Sequence, residues 1–231
     1  MGSTPTPNPT ALVTGSSSGI GAAIAQRLAE DGWRVIGVDL TRPAPQSYLV
    51  DQLTADLTDL DQVHGVLARV SDVQALVHAA GFMRVGELSK LDPADGDAMW
   101  AVHVRALTVL AQGLCPRMPP GGRILAVGSR TSSGAAQRSQ YAAVKAAVTA
   151  LVRSWAIELA PRGITANIIA PAATATAMLS ASERADLSPV LPPIGRLIEP
   201  REVAAYAAFI LSPEAAAITG QNLLICGGAS L

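Results

Sequence analysis

The chain has 231 residues, of which 49% are hydrophobic and 15% charged, and its formal net charge is −1. This length allows one domain with a sizeable buried core, and the absence of any Lys/Arg run argues against nucleic acid or an anionic membrane as a partner. No apolar stretch approaches the length that spans a bilayer, and the N-terminus lacks a signal-peptide pattern, so we expect a cytoplasmic protein. Cys115 and Cys226 lie far apart, and the absence of metal-ligand spacing predicts no metal site.

The first segments of the chain have the order of a nucleotide-binding unit. Thr10–Thr14 predicts a short buried strand, and a glycine-rich turn leads into a helix that begins at Gly19 and is closed by Gly32. Residues 33–38 predict a second strand, which ends at Asp39. A strand, a glycine-rich turn, a helix, a strand and an acid in this order are typical of a dinucleotide-binding βαβ unit.

The glycines and the acid of this unit favour NAD as the cofactor. Gly15 permits a tight turn, and Gly19 lets the backbone approach a pyrophosphate at the helix N-terminus. Asp39 can accept hydrogen bonds from both ribose hydroxyls and would repel a 2′-phosphate. Neither Ser18, before the second glycine, nor the residue after the acid offers a cation, which leaves Arg42 as the nearby candidate for binding NADP.

The rest of the chain alternates strands with helices. The segment after Asp39 is too rich in proline for a helix, so we expect one crossover helix to be absent. Alternating strands and helices predict a parallel sheet covered on both faces, which is a doubly wound α/β Rossmann fold in a single domain. Further strands are predicted to lead into Asp56-Leu57 and to cover 75–78, 123–127, 164–169 and 221–225, with helices over 59–70, 94–113, 139–160 and 201–211.

Tyr141 and Lys145 lie four residues apart in a run of helix-forming residues, so their side chains share one helix face. A phenol with a pKa near ~10 is a poor base at neutral pH, and lowering that pKa to about 7 requires roughly 4 kcal/mol. One ammonium group at about 4 Å supplies about that much at an effective dielectric near ~20. The same spacing also fits a solvated helix, so the interpretation depends on the other motifs.

Together these residues resemble the short-chain dehydrogenase/reductase family. The resemblance covers about residues 10–231 and leaves 1–9, which are rich in Pro and Thr, as a disordered N-terminal tail. It implies a doubly wound fold, a nicotinamide cofactor, hydride transfer and a homotetramer or homodimer. The motifs that carry it are the loop Thr14–Gly21, Asp56 for the adenine contact, Ala79-Ala80-Gly81, the catalytic group Ser129, Tyr141 and Lys145, Pro171, and Gly227-Gly228.

The resemblance also implies roles for single residues. Tyr141 as a phenolate would take the alcohol proton, Lys145 would lower the phenol pKa and bind ribose hydroxyls, and Ser129 would hydrogen-bond the substrate oxygen. His103 would support a water beside the lysine, and Ile169 would meet the carboxamide. The implied cofactor contacts are Gly15, Ser17, Ser18, Gly19, Ile20, Asp39, Asp56, Leu57, Ala79, Ala80, Gly81, Tyr141, Lys145, Pro171, Ala172, Thr174 and Thr176.

The chain departs from the usual pattern of that family at several positions. His78 stands where the family usually has Asn, and we expect little catalytic consequence. His103 replaces the Asn whose backbone carbonyl holds a relay water in the family. The loop between Ser129 and the tyrosine is one residue shorter than usual, so Ser132 or Ser133 is an alternative substrate partner.

These features predict an NAD-dependent oxidoreductase of secondary alcohols, such as cyclic diols, sugars or polyols, with an apolar lid at about 178–193. Arg84, Arg130 and Arg138 lie near the expected cleft and could hold a carboxylate or a hydroxyl-rich substrate, with solvated arginines as the default. The nearest alternative is an NADPH-linked ketone or 3-oxoacyl reductase. A nucleotide-binding sensor without catalysis is the alternative of another class, motivated by His103 and the shortened loop.

Overall fold

In the residues that the structure describes, seven strands form one sheet in which every neighbouring pair is parallel. The order across the sheet starts at the third strand, passes through the second and first, and continues from the fourth to the seventh. This order confirms the predicted doubly wound α/β Rossmann fold in a single domain. The computed structural model describes residues 8–41, 46–180 and 190–231, with the strands β1 Thr10–Thr14, β2 Arg34–Asp39, β3 Asp51–Thr54, β4 Ala75–His78, β5 Arg123–Val127, β6 Thr165–Pro171 and β7 Asn222–Ile225.

Helices cover both faces of the sheet. One apolar cluster packs the sheet against the first and last long helices, and a second packs the other face against the helices between β3 and β6. The central strands β4, β5 and β6 are buried along their whole length, which explains their continuous apolar sequences. The helices are α1 Gly19–Glu30, α2 Leu60–Arg69, α3 Pro93–Trp100, α4 Leu107–Leu114, α5 Ser139–Leu159, α6 Ala177–Ser180 and α7 Pro200–Leu211.

Three expectations fall partly outside the described residues. The structure does not describe residues 1–7 of the expected tail, residues 181–189 of the expected lid, or Arg42. In the described part of the segment after β2, which is 40–41 and 46–50, no helix forms.

The predicted helix 94–113 is longer than expected and contains a π turn. Together α3, the π turn Ala101–Ala106, α4 and a final short turn form a continuous helical segment, Pro93–Arg117, of 25 residues. Its most apolar window has a mean hydropathy of 1.2, so the expectation that no stretch is long and apolar enough to span a bilayer is wrong for this segment. Because 56% of that window is buried inside the fold, the segment packs as a core helix.

His78 fixes the π turn Ala101–Ala106 to the ends of two strands. Its Nε2 lies 3.1 Å from the Val102 carbonyl oxygen, and because a carbonyl only accepts, Nε2 carries the proton. Nδ1 then accepts from the Thr14 hydroxyl at 3.0 Å, and the Thr14 oxygen accepts from the Ala80 backbone N–H at 3.2 Å. Burial lowers the pKa of His78 to about 3, so the ring stays neutral and serves as a link between β1, β4 and the helix.

Substituting His78 by Ala should therefore destabilise the fold. The change leaves the Thr14 hydroxyl and the Val102 carbonyl buried without their partner, and we expect a loss of roughly 2–4 kcal/mol in the free energy of unfolding. Urea denaturation measures it, with His64→Ala on the exposed face of α2 as the matched control. Equal stabilities of the two variants would show that His78 is not a structural link.

Candidate active site

A cavity of about 590 Å³ lies at the carboxyl ends of the parallel strands. In folds of this kind the carboxyl ends meet at one sheet edge, which is where ligands bind. Of the site residues expected from the sequence, Ser17, Ile169 and Arg84 do not line the cavity. Those that line it are Gly15, Ser18, Gly19, Ile20, Asp39, Asp56, Leu57, Ala79, Ala80, Gly81, His103, Ser129, Tyr141, Lys145, Pro171, Ala172, Thr174 and Thr176.

The glycine-rich turn after β1 brings a helix N-terminus to the cavity. Gly15 has a φ of +69°, and a Cβ there would lie 2.8 Å from the Ala80 Cα, so only glycine fits the close approach of the two strand ends. α1 begins at Gly19, and its N-cap residue, Ser18, makes no side-chain capping hydrogen bond. The free N–H groups of this first turn suit the pyrophosphate of a dinucleotide.

Asp39, at the end of β2, joins this turn to the sheet. One carboxylate oxygen accepts from the Ser17 backbone N–H at 2.9 Å, and the other accepts from the Leu40 N–H at 2.8 Å. Ser17 therefore takes part in the site indirectly, because its backbone N–H holds the Asp39 carboxylate. Each oxygen keeps a second lone pair, which suits the donors of a ribose diol. A 2′-phosphate on that ribose would meet a negative charge here.

The end of β6 supplies another wall of the cavity. The Thr174 hydroxyl donates to the Ala172 carbonyl at 2.9 Å, and the side chains of both Thr174 and Thr176 reach the lining. Ile169, expected from the sequence to meet the carboxamide, is fully buried in the sheet and does not line the cavity. Its carbonyl accepts from the Gly128 backbone N–H at 2.7 Å, which pairs the ends of β5 and β6.

Lys145 and Tyr141 lie on the buried face of α5, as the spacing predicts. The side chain of Lys145 is 5% exposed and that of Tyr141 is 8% exposed, and the Lys145 Nζ lies 5.7 Å from the centroid of the phenol ring. Nζ also donates to the Val127 carbonyl at 2.6 Å. Burial lowers the pKa of Lys145 to about 7. With a pKa of about 7, the lysine changes its charge near neutral pH, which the sequence alone does not indicate.

Ser129 forms a hydroxyl pair that sequence reasoning missed. Its Oγ lies 2.8 Å from the Thr131 Oγ and accepts from the Thr131 backbone N–H at 3.1 Å. When Thr131 donates to it, the Ser129 proton is available for a substrate oxygen. Ser129 and Thr131 line the cavity, whereas the alternatives Ser132 and Ser133 do not. The one feature of the sequence that could have indicated this pair is a hydroxyl residue two positions after Ser129.

His103 packs between Tyr141 and the backbone after β4. Its Nε2 lies 2.9 Å from the Phe82 carbonyl and 3.3 Å from the Phe82 N–H, and we assign the proton to Nε2 because the shorter contact needs a donor. Nδ1 is then a buried acceptor without a partner in the described part of the chain. A Cβ at Gly81 would lie 2.1 Å from the His103 ring, so the histidine itself requires that glycine. Burial, with Lys145 as a weaker cause, lowers the pKa of His103 well below its ordinary value.

The described parts of the expected lid give the cavity an apolar side. Met178, Leu179, Val190 and Pro192 line it, and Leu187 lies outside the described residues. Elsewhere in the chain as described, no three His, Cys, Asp or Glu residues lie close enough together to hold a metal ion.

Comparisons with known proteins identify the family of the chain. A family model described as Enoyl-(Acyl carrier protein) reductase matches residues 15–230. The chain is 36% identical to the 3-oxoacyl-[acyl-carrier-protein] reductase FabG of Vibrio cholerae, over 94% of this chain and 96% of that protein. It is 33% identical to the (2S)-[(R)-hydroxy(phenyl)methyl]succinyl-CoA dehydrogenase subunit BbsD of Thauera aromatica, over 97% of each.

A solved structure is also similar. A short-chain dehydrogenase from Burkholderia cenocepacia in complex with NADP superposes with a TM-score of 0.86 at 35% identity, covering 96% of this chain and 98% of that one. The chain therefore belongs to the short-chain dehydrogenase/reductase family and is an NAD(P)-dependent oxidoreductase that acts on CH–OH groups.

The titration of Lys145 should appear in the pH dependence of stability. The folded-state pKa of about 7 lies below the ordinary value of 10.5, so between these pH values the unfolded chain binds more protons than the folded one. The free energy of unfolding should therefore rise from pH 7 to 10.5, by roughly 4 kcal/mol from this group. Urea denaturation across this range should show the rise in the wild type and in Lys90→Met, an exposed control, but not in Lys145→Met. A Lys145→Met protein with the wild-type slope would contradict the assignment.

Proposed function

We propose that the chain interconverts a secondary alcohol and its ketone with NAD(H), and that Tyr141 is the general base and acid. The observation that carries the proposal is the burial of Tyr141 and Lys145 on one helix face, in the cavity that Ser129 and the dinucleotide loop also line. A solvated helix face would place both side chains in water, which is the alternative that the sequence left open.

Three residues of the chain have separate roles in the proposed reaction. The Ser129 hydroxyl donates a hydrogen bond to the substrate oxygen and fixes its position. Tyr141 takes the proton of that oxygen during alcohol oxidation and returns it during ketone reduction. Lys145 stabilises the phenolate when charged, and the donors that Val127 leaves free serve the ribose hydroxyls. A bound nicotinamide would supply the hydride acceptor for alcohol oxidation and the hydride donor for ketone reduction.

His103 is a positioning residue in this proposal. Its Nε2–H anchors the Phe82 backbone, and its ring meets the Tyr141 ring edge-on, with centroids 5.9 Å apart and an interplanar angle of 82°. The buried Nδ1 acceptor supports the expected role of holding a water beside Lys145, because a water can donate to it.

The comparisons support a 3-oxoacyl or 3-hydroxyacyl substrate better than a cyclic diol or a sugar. The names of the Vibrio cholerae and Thauera aromatica relatives describe reactions on acyl groups carried by acyl carrier protein or CoA. The apolar side chains of Met178, Leu179 and Val190 fit the chain of an acyl substrate. We infer that the alternative substrate class, ketones of the 3-oxoacyl type, is the better candidate for this site.

NADP(H) is the second candidate cofactor. It is favoured by the bound NADP of the Burkholderia cenocepacia structure. NAD(H) is favoured by the Asp39 carboxylate, which lines the cavity at the end of β2 and has no ion-pair partner among the residues that the structure describes. We place more weight on this charge, because it belongs to this chain.

We also propose that the chain forms a homo-oligomer and that it works in the cytoplasm, which is a reducing compartment. Ile157 on α5 is 78% exposed, and Phe209 on α7 and Leu224 on β7 are 46% and 48% exposed, so apolar side chains are available for contact with further copies of the chain. Both cysteines are free thiols, which suits a reducing compartment.

Replacing Tyr141 by Phe separates an enzyme from a nucleotide sensor. Loss of the hydroxyl should lower turnover of a secondary alcohol by about 100- to 10,000-fold, because no group remains to take the proton. The dissociation constant for NADH should stay close to the wild-type value. Tyr206→Phe on α7, outside the cavity lining, is the matched control. Turnover by the Tyr141 variant at the control rate would contradict the proposed base.

Replacing Asp39 by Asn tests the choice of cofactor. Removal of the negative charge should raise the affinity for NADPH relative to NADH by about tenfold, or ~1.4 kcal/mol. Fluorescence titrations with both reduced cofactors measure the ratio, and Asp72→Asn, exposed and outside the cavity lining, controls for net charge. A wild-type protein that binds NADPH more tightly than NADH would overturn the NAD assignment.

A further inference from the structure

We propose that the substrate carries a carboxylate close to the reacting carbon, and that Arg130 and Arg138 bind it. This inference rests on the proposed function and narrows its substrate, from 3-oxoacyl compounds in general to those that carry a free carboxylate, such as 3-oxo or 3-hydroxy acids. Arg130 directly follows Ser129, and Arg138 lies three residues before Tyr141, so both arginines are neighbours in the chain of residues that act on the substrate oxygen. Both arginines line the cavity.

Arg130 and Arg138 differ in their contacts from Arg84, the third arginine near the expected cleft. Arg84 has its Nε 3.4 Å from an Asp95 carboxylate oxygen and its guanidinium 5.0 Å from the centroid of the Phe82 ring. By contrast, neither Arg130 nor Arg138 makes a side-chain hydrogen bond or ion pair within residues 8–41, 46–180 and 190–231. The structure therefore distinguishes the three arginines that the sequence treats alike.

Arg138 is half-buried where it lines the cavity. Its Nε is buried and has no hydrogen-bond partner in the described chain, as is also true of the Arg123 Nε. A buried donor without a partner costs about 1–3 kcal/mol. Because solvent does not reach this nitrogen, a ligand in the cavity would bind to the terminal amino groups of the guanidinium. A planar carboxylate matches the fork of N–H donors that a guanidinium presents.

The backbone before Arg138 is held in an uncommon conformation. Gln137 has a φ of 60°, in the left-handed region that residues other than glycine rarely adopt. Its carbonyl accepts from the Gly86 backbone N–H at 2.9 Å, which ties this turn to the segment after β4. Such local strain is typical of functional sites, and here it fixes the point where the Arg138 side chain starts.

The charges of the cavity are segregated. Among the lining residues that the structure describes, the acids are Asp39 and Asp56, which follow β2 and β3 at the dinucleotide end. The cations are Arg130, Arg138 and Lys145, all on or beside the catalytic segments. The pyridinium of an oxidised nicotinamide would add a further positive charge at that end. An anionic substrate would be attracted to the two arginines, whereas a neutral one would not.

The test compares substrates that differ in one charge. With NAD⁺, kcat/KM is measured for 3-hydroxybutyrate and for its neutral methyl ester in the wild type, Arg130→Gln, Arg138→Gln and the double variant. We expect the wild type to prefer the carboxylate and each single substitution to lower the carboxylate-to-ester ratio by about 10- to 100-fold. Because the ratio is taken within each protein, a general loss of activity cancels. Arg153→Gln, on the exposed face of α5, should keep the wild-type ratio.

A binding measurement makes the test independent of turnover. Calorimetric titration of malonate into the protein–NADH complex should show binding to the wild type and to Arg153→Gln, with an affinity about 10- to 100-fold weaker in Arg138→Gln. Unchanged malonate affinity together with an unchanged substrate ratio would overturn this inference and leave the proposed oxidoreductase standing. Malonate binding that depends on Arg138, without turnover of either alcohol, would support the anion site and count against the proposed function.

Discussion

The hydrogen bond from the Lys145 ammonium to the Val127 carbonyl is the interaction on which the site depends. Val127 is the last residue of β5, just before Ser129, and Lys145 lies one helical turn beyond Tyr141, so this bond of 2.6 Å fixes the serine loop against the tyrosine helix. Because the lysine is buried, the same contact costs desolvation, which lowers the pKa of Lys145 to about 7. The group that organises the site is therefore also the one whose charge changes near neutral pH.

Two buried histidines, His78 and His103, lie near this lysine, and both are neutral. His78 is neutral and links β1, β4 and the π turn, and His103 is neutral and links Phe82 to the tyrosine ring. Burial lowers the pKa of each, and the charge of Lys145 contributes in the same direction. Among these three buried bases of the described site, the lysine is thus the one with a pKa near neutral pH.

The sequence predicted the strands, the long helices and the positions of Tyr141 and Lys145, because buried parallel strands appear as apolar runs and helical spacing is local. It did not predict the pKa of Lys145, which depends on burial by distant segments, or the reason for Gly81, whose space is filled by the His103 ring. The pairing of Arg84 with Asp95 likewise arises from tertiary contact. The surroundings of each charged side chain determine its chemistry, and these surroundings depend on distant segments that a single sequence does not reveal.

The most direct test of the account is the titration of Lys145 itself in the cofactor-free protein. The chain has two lysines, Lys90 and Lys145, so ε-carbon NMR signals can be assigned with a Lys90→Met variant. The account predicts that the signal of Lys145 titrates with a pKa of about 7. If that signal instead titrates near 10.5, the ordinary lysine value, Lys145 is not desolvated, and the proposed control of Tyr141 by a pH-dependent charge is contradicted.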